Sequence, residues 1–489
     1  MPRNLYYIII GLIFVLALSL RIYNIEQKNM WFDEVYSWNL SLETPKDIIA
    51  ITSGDIHPPL FYIVLKGWTN IFSDSVFSMR MLATLLSMFS LLFLFMICKE
   101  IKITEKRTFF VLLLYAVSPL NIYYSQEVRM QSLNLFLTIG STFFFLRFLN
   151  NKKNLYGFIW AIFAALSLYT HYFALLILFS QMVILLIKFL QKEIDLKFGG
   201  IAILFSVIPL ILFSPWVPTF LRQSSQGQPW RVGQTFAQVS ENYLTFFREI
   251  FFSSYWNYEN KGIIIGTTVF SIILISFLIA SVIKYIIQSD RKKISMIVLF
   301  FVPSVIAFII SFRQSIIFSR YLSIIAPYLF ILCTFFIFRI HKKYISYPLI
   351  TILICASAYG LNINFSNDYK NNDYRKIEAY LEKNIKPGDN ILVDPHYLGW
   401  IIRYDNLHQK TSLPVPMVLG WTLQMQIDSL AKLNEPGNIW FLLDYASMEK
   451  DDYDSLASKM SLIGFKQDIT KEKTFYLYPN KVKSSYFYR

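Results

Sequence analysis

Apolar residues run along this chain in long, nearly unbroken blocks, without the strict alternation of a half-buried strand or the single stripe of a surface helix. Up to about Gly360 the blocks are about 18 to 25 residues long, the length that crosses ~30 Å of hydrocarbon at ~1.5 Å per residue. They predict about eleven membrane-spanning helices: Leu5–Leu20, Val76–Cys98, Thr108–Ile122, Gln131–Leu149, Leu155–Thr170, Tyr172–Leu190, Phe198–Val217, Gly262–Ile287, Ile294–Phe312, Ile317–Phe338 and Tyr344–Gly360. Pro58–Phe72 is apolar but shorter and contains Lys66, which suits either a short span or a helix lying in the interface.

Beyond Leu361 the pattern changes. Asp373–Asn384 and Met425–Leu433 have helical spacing, while Asn390–Val393, Asn438–Leu443 and Thr474–Tyr478 read as strands. The expectation is a polytopic α-helical membrane domain over residues 1–361 and a small α/β domain with a partly parallel sheet over 362–489. No G-x-G-x-x-G follows the tail's first strand, so no nucleotide site is expected there.

Composition agrees with this division. Of 489 residues, 55% are hydrophobic and 16% charged, and a mean hydropathy of +0.44 excludes a water-soluble enzyme. The formal net charge of +14 would suit nucleic acid, but no basic stripe interleaves with exposed aromatics, and nucleic acid is not an expected partner. The lysines and arginines cluster between apolar runs instead. If Pro58–Phe72 lies flat, the clusters at Lys99–Arg107, Arg147–Lys153, Lys188–Lys197, Lys284–Lys293 and Arg339–Lys343 share a side with Arg3. That arithmetic places the amino terminus in the cytoplasm, keeps the first run as a retained span, and puts the tail outside. Cys98, Cys333 and Cys355 all fall in apolar runs and suggest neither a disulfide framework nor thiol catalysis.

The external segments hold the polar residues that need explaining. Asp33 and Glu34 follow the first span within Met30-Trp31-Phe32-Asp33-Glu34-Val35-Tyr36. They suit either a solvated acid pair or a base at the edge of low dielectric. In Asp55-Ile56-His57-Pro58-Pro59-Leu60 the prolines suit a helix start, but that account does not need His57. Glu127 and Arg129 stand at a near-loopless junction, as an ion pair or as a second acid and an anion contact. His171, in Thr170-His171-Tyr172, marks another junction. Arg320, beside Tyr321 near the start of a span, either snorkels or binds an anion such as a headgroup phosphate. Trp230, Arg231 and Trp256 in the long loop Pro218–Lys261 are candidate sugar or acceptor contacts. As a set these groups suit displacement of a lipid-bound phosphate by a hydroxyl, with a carboxylate taking the proton and cations, or a divalent metal, taking up charge on the phosphate.

At these residues the sequence resembles the bacterial membrane glycosyltransferases of family 39, the protein O-mannosyltransferase-like group that includes the lipid A aminoarabinose transferases, within the GT-C fold. The resemblance is carried by the Asp33-Glu34 pair, His57-Pro58-Pro59-Leu60, Val76-Phe77-Ser78-Met79-Arg80, Tyr124-Ser125-Gln126-Glu127-Val128-Arg129, Thr170-His171-Tyr172 and Ser319-Arg320-Tyr321, in order over about 290 residues. Asp373-Tyr374-Arg375 is similar to the Asp-Trp-Arg that opens the tail in many such proteins, with Tyr in place of Trp. The resemblance implies a polyprenyl-phosphate sugar donor, a glycan, lipid or protein hydroxyl acceptor, reaction at the outer face of the cytoplasmic membrane, and inversion. It implies Asp33 as general base, Glu34 as an orienting or metal-binding group and Glu127 as second acid. His57, Arg129, His171, Arg320 and Tyr321 fall to substrate binding, with Asp33, Glu34, Glu127 and His57 the candidate metal ligands. Competing classes are an O-antigen ligase- or polymerase-like transferase, a lipid or sugar transporter, and a membrane scaffold. A transporter calls for mid-span charges and paired broken helices, which the proline-bearing runs Phe198–Val217 and Ile294–Phe312 lack.

Overall fold

The computed structural model describes residues 2–226, 232–253, 261–287, 294–340, 343–366, 374–394, 397–408, 413–414, 416–417, 423–432, 437–444, 456–477 and 480–488. Trp230, Arg231, Trp256 and Asp373 lie outside the described residues. The chain divides into two compact units, the first formed by Met1–Tyr23, Glu43–Phe72 and Ser78–Ser366, the second by Asn24–Leu42, Ser73–Phe77 and Asn367–Arg489. The second unit therefore takes in two short segments from the amino-terminal region as well as the tail.

In the first unit the helices are α1 (Arg3–Ile22), α3 (Pro45–Gly54), α4 (Leu60–Ile71), α5 (Val76–Glu100), α6 (Glu105–Val117), α7 (Pro119–Ser125), α8 (Gln131–Asn151), α9 (Asn154–Leu168), α10 (Ala174–Leu190), α11 (Leu196–Phe213), α12 (Val217–Gln226), α13 (Phe236–Phe251), α14 (Lys261–Ile287), α15 (Ile294–Ser311), α16 (Ser319–Leu322), α17 (Ala326–Ile337) and α18 (Lys343–Asn364); α2 (Phe32–Leu42) belongs to the second unit. Among the described residues eight helices are long and apolar enough to cross a membrane, or nine if a bent pair counts as one span. The two remaining expected spans form α9 and α10, apolar helices of 15 and 17 residues. The protein is a multi-pass membrane protein.

The bent pair is α6 and α7, which read as one run in the sequence. Proline disfavours helical geometry in the residue before it, and Ser118, ahead of Pro119, is extended at φ −66°, ψ 119°, breaking the run with a 55° bend. The broken end is secured by Ser118 Oγ, which donates to the Ile250 carbonyl at 2.9 Å. At 12 residues α4 is about 18 Å long, too short to span.

Inside the bundle, polar groups meet one another. Trp160 Nε1 donates to Gln181 Oε1 at 2.7 Å, Gln181 Nε2 donates to Ser141 Oγ at 3.2 Å, and the Thr142 and Tyr328 hydroxyls are bonded at 2.6 Å. Arg21, at the last turn of α1 and fully buried, is likewise absorbed. Its guanidinium donates to Ser87 Oγ at 2.9 Å and to the Ala17 and Ala116 carbonyls at 3.0 and 3.2 Å, and lies over the Tyr115 ring.

The second unit is α/β. Its tail adds α19 (Arg375–Asn384), β1 (Asn390–Asp394), α20 (Tyr397–His408), α21 (Leu423–Ala431), β2 (Ile439–Asp444), α22 (Leu456–Leu462), β3 (Lys466–Leu477) and β4 (Asn480–Tyr488). The strand order is β1-β2-β4-β3, with β1 and β2 parallel and the other pairs antiparallel, as the sequence led one to expect of a partly parallel sheet. Strand periodicity places Ile439, Phe441 and Leu443 in the core with Ile427, Leu430 and Met460, and turns Trp440 to the other face against Tyr486 and Tyr380. Two glycines at positive φ, Gly388 (+90°) and Gly437 (+63°), make the turns into the parallel strands; a Cβ on Gly437 would stand 2.6 Å from the Gly388 carbonyl.

Candidate active site

In the first unit the candidate residues from four separate junctions come together. Pro58 and Pro59 have no N–H to donate, so α4 opens without that requirement, and the Leu60 amide donates to the Tyr169 carbonyl at 3.1 Å, tying the turn before α4 to the end of α9. This sets His57 beside His171, with ring centroids 5.9 Å apart. His171 in turn meets Tyr321 at 4.9 Å, and Phe173 meets Tyr321 at 5.2 Å. The Arg320 guanidinium lies 5.1 Å from the Tyr321 ring centre and 5.7 Å from that of Phe318. All but Arg320 among the five predicted binding residues are buried.

Arg129 joins the group from the α7–α8 turn. Its Nη1 donates to the hydroxyl of the fully buried Tyr62 at 3.5 Å, while its backbone N–H donates to the Glu127 carbonyl at 2.8 Å. Thr84 Oγ1 braces that turn through the Ser125 carbonyl at 3.0 Å, Ser132 Oγ through that of Tyr124 at 2.9 Å, and Gln126 Nε2 through those of Arg21 and Tyr23 at 2.9 Å each. Glu127, 1% exposed, is held in the same turn.

The electrostatics follow from this packing. Burial lowers the His57 pKa, and the positive charges of Arg129 and Arg320 lower it further against the pull of Asp55, whose Oδ2 is 3.8 Å from His57 Nδ1. His57 is therefore neutral at pH 7, and the positive charge of the cluster belongs to the arginines. The Phe173 amide donates to His171 Nδ1 at 3.2 Å, which fixes that nitrogen as an acceptor. Alongside lies a cavity of 230 Å³ lined by Ile56, Tyr172, Phe173, Phe220, Gln223 and Gln314 among others, and so by the chain neighbours of both histidines. Gln223 accepts from the Tyr172 hydroxyl and donates to the Thr52 carbonyl at 2.8 Å, pinning α12 to the end of α3.

Asp33 and Glu34 belong to the second unit. They occupy the first turn of α2. Glu34 is fully buried and its Oε2 accepts from the Trp31 amide at 3.4 Å; Asp33 is half-buried and its carbonyl accepts from Ser37 Oγ at 2.9 Å. Among the described residues no three His, Cys, Asp or Glu side chains gather as a metal-binding group.

Two residues of this neighbourhood were not singled out from the sequence. Tyr62 sits in an apolar run where nothing distinguishes it from core. Glu249 is more legible, an acid within Phe246-Phe247-Arg248-Glu249-Ile250-Phe251. Burial pushes its pKa up to about 8, against a hydrogen bond to Ser319 and the charge of Arg248.

Residues 56–218, which include His57, Glu127, Arg129 and His171, match the family described as dolichyl-phosphate-mannose-protein mannosyltransferase. The apo crystal structure of ArnT from Cupriavidus metallidurans is similar over 97% of this chain and 97% of its own, at a TM-score of 0.59 and 11% identity. The archaeal oligosaccharyltransferase AglB from Archaeoglobus fulgidus, in complex with an inhibitory peptide and a dolichol-phosphate, is similar over 94% of this chain and 72% of its own, at 0.56 and 11%. This chain has the GT-C fold. A second structure of similar GT-C fold, the same ArnT bound to undecaprenyl phosphate, has a TM-score of 0.54 at 11% identity and covers 97% of both chains. No curated protein matches the chain. The family match takes in three of the four convergent junctions, those at His57, at Glu127–Arg129 and at His171.

Proposed function

We propose that this protein transfers a sugar from a polyprenyl-phosphate donor to a hydroxyl of a glycan, lipid or protein, with inversion, at the outer face of the cytoplasmic membrane. The observation that carries the reading is the action of two arginine charges, Arg129 and Arg320, on one buried neutral histidine. A guanidinium at the edge of a membrane bundle is matched in charge and in fork geometry by a phosphate oxyanion. The similar structures that contain undecaprenyl phosphate and dolichol-phosphate support a donor of that chemistry.

In the proposed reaction the acceptor oxygen forms a bond to the anomeric carbon while the bond from that carbon to the phosphate oxygen breaks. Asp33 takes the acceptor's proton, Glu34 orients the base, and Glu127 serves as second acid. The electron pair of the broken bond leaves on the polyprenyl phosphate, whose charge Arg129 and Arg320 take up. His57, His171 and Tyr321 supply hydrogen bonds and ring surfaces to the donor's head. A divalent metal belongs to the proposal only as far as a chelator affects turnover.

The test is transfer of labelled sugar by the purified protein from a panel of polyprenyl-phosphate sugars, beside Asp33→Asn, with and without chelator. The expected result is turnover with one donor, lost in Asp33→Asn while the variant remains folded. Absence of both transfer and hydrolysis with every donor sinks the reading.

A further inference from the structure

The helix that carries the acid pair is too short to fix itself. At 11 residues α2 is below the ~12–15 at which isolated helices become even marginally stable, so its position is set by what it packs against. That partner is α20, from the tail, within the same unit.

The contact is built around Asp74. The fully buried Trp38, one turn beyond Glu34 on the same helix face, donates from Nε1 to Asp74 Oδ2 at 3.0 Å. His408 Nε2 meets Asp74 Oδ1 at 3.1 Å, and the Tyr404 hydroxyl donates to the Asp74 carbonyl at 3.3 Å. The Tyr404 and His408 rings stack at 4.1 Å and both stand edge-on to Trp38, at 4.9 and 6.0 Å. Nearer the acids, Tyr36 packs on Trp400 at 5.7 Å and Asn29 Nδ2 donates to Asp405 Oδ2 at 3.5 Å. One carboxylate thus accepts from the acid helix and from the tail together. Both ring nitrogens of His408 face acceptors, Asp74 at 3.1 Å and the Tyr404 carbonyl at 2.9 Å.

We propose that Asp74 and His408 are positioning residues for the Asp33–Glu34 pair, so that the tail takes part in the reaction by holding the acid helix. The inference rests on the transferase reading above. It assigns the tail a task in the chemical step rather than in acceptor capture, and so a signature in kcat rather than in KM.

The experiment compares wild type, His408→Ala and His408→Gln in the full-length purified protein, using whichever polyprenyl-phosphate sugar turns over in the donor panel, together with hydrogen exchange of residues 32–42. A misplaced base costs roughly 10- to 100-fold. His408→Ala is expected to lose about that much in kcat with donor KM within about twofold, and to exchange faster across α2; His408→Gln, which keeps a donor for Asp74, is expected to recover most of both. Full kcat in a folded His408→Ala overturns the inference, as does an equal loss in Ala and Gln with α2 exchange unchanged. Should His408→Ala fail to accumulate as a monodisperse protein, Asp74→Asn makes the same test, since it keeps the side chain's volume and an acceptor for Trp38 while removing the charge shared with His408. No turnover with any donor removes the transferase reading and this inference with it, whereas turnover undiminished in Asp33→Asn leaves the protein a transferase and removes the role of the acid pair, and with it this inference.

Discussion

Two polar clusters lie within the first unit, and they are built on opposite principles. Around Gln181 neutral groups saturate one another: an indole N–H, a carboxamide and three hydroxyls spend their bonds on neighbouring helices. Around His57 the charge is concentrated, with Arg129 and Arg320 both acting on a buried imidazole and an adjoining cavity of 230 Å³. Arg21 belongs with the first kind although it is charged, because two backbone carbonyls and Ser87 take up its donors. Burial of a polar residue in a membrane bundle therefore does not mark a site. What marks one is ionisable side chains from separate junctions gathered beside open volume.

The largest effect expected from this contrast is at Arg320. A hydrogen bond to a charged group is worth roughly 1.5–3 kcal/mol, and each 1.4 kcal/mol is about tenfold. Arg320→Ala should therefore lower kcat/KM for the polyprenyl-phosphate donor by about 10- to 150-fold, with Arg320→Lys restoring part of it because a point charge cannot reproduce a planar fork. Arg21→Met, at the saturated counterpart, should lower the amount of folded protein without changing kcat/KM in what remains. Equal loss of kcat/KM in both would erase the distinction between the clusters.

Sequence patterning carried much of the architecture because spans are legible as blocks of apolar residues, and three of the tail's strands as short runs between turn residues; β4, where Lys481 and Lys483 interrupt the apolar positions, was not read. The break at Ser118-Pro119 and the helices α20 and α22 were not read, the first because the apolar run continues across it, the others because Tyr397–His408 and Leu456–Leu462 lack a clean apolar stripe. His57, His171, Arg320 and Tyr321 stood out singly as polar residues at span ends. Their mutual packing depends on contacts between α4, the α9–α10 turn and α16, which no local pattern encodes. Asp74 and His408 gave no signal, since each looks solvated until α2 brings Trp38 against both.

A smaller effect is expected at His57. Because its folded pKa lies below the ordinary histidine value near 6.5, the unfolded chain takes up a proton that the folded one refuses, and stability falls as pH drops below about 6.5. His57→Gln should flatten that acid-side loss in a thermal unfolding series. Between about pH 7 and 8 the imidazole is neutral throughout, so donor KM should not change through this group. A donor KM that rises with pH there in wild type but not in His57→Gln would mean that the cluster relies on an imidazolium after all.

The smallest effect belongs to the saturated cluster. Gln181→Leu removes an acceptor from Trp160 and a donor to Ser141, yet polar bonds between membrane helices average only about 0.6 kcal/mol, with a maximum near 1.7. The expected outcome is a loss of about 1 kcal/mol in unfolding from detergent, with kcat and donor KM unaltered. The same reasoning makes Trp160→Phe in the Gln181→Leu background nearly neutral, since both partners of the bond are then gone. If Gln181→Leu abolished transfer while the protein stayed folded, mutual saturation would no longer separate structural polar groups from functional ones, and the argument that singles out His57, Arg129 and Arg320 would lose its footing.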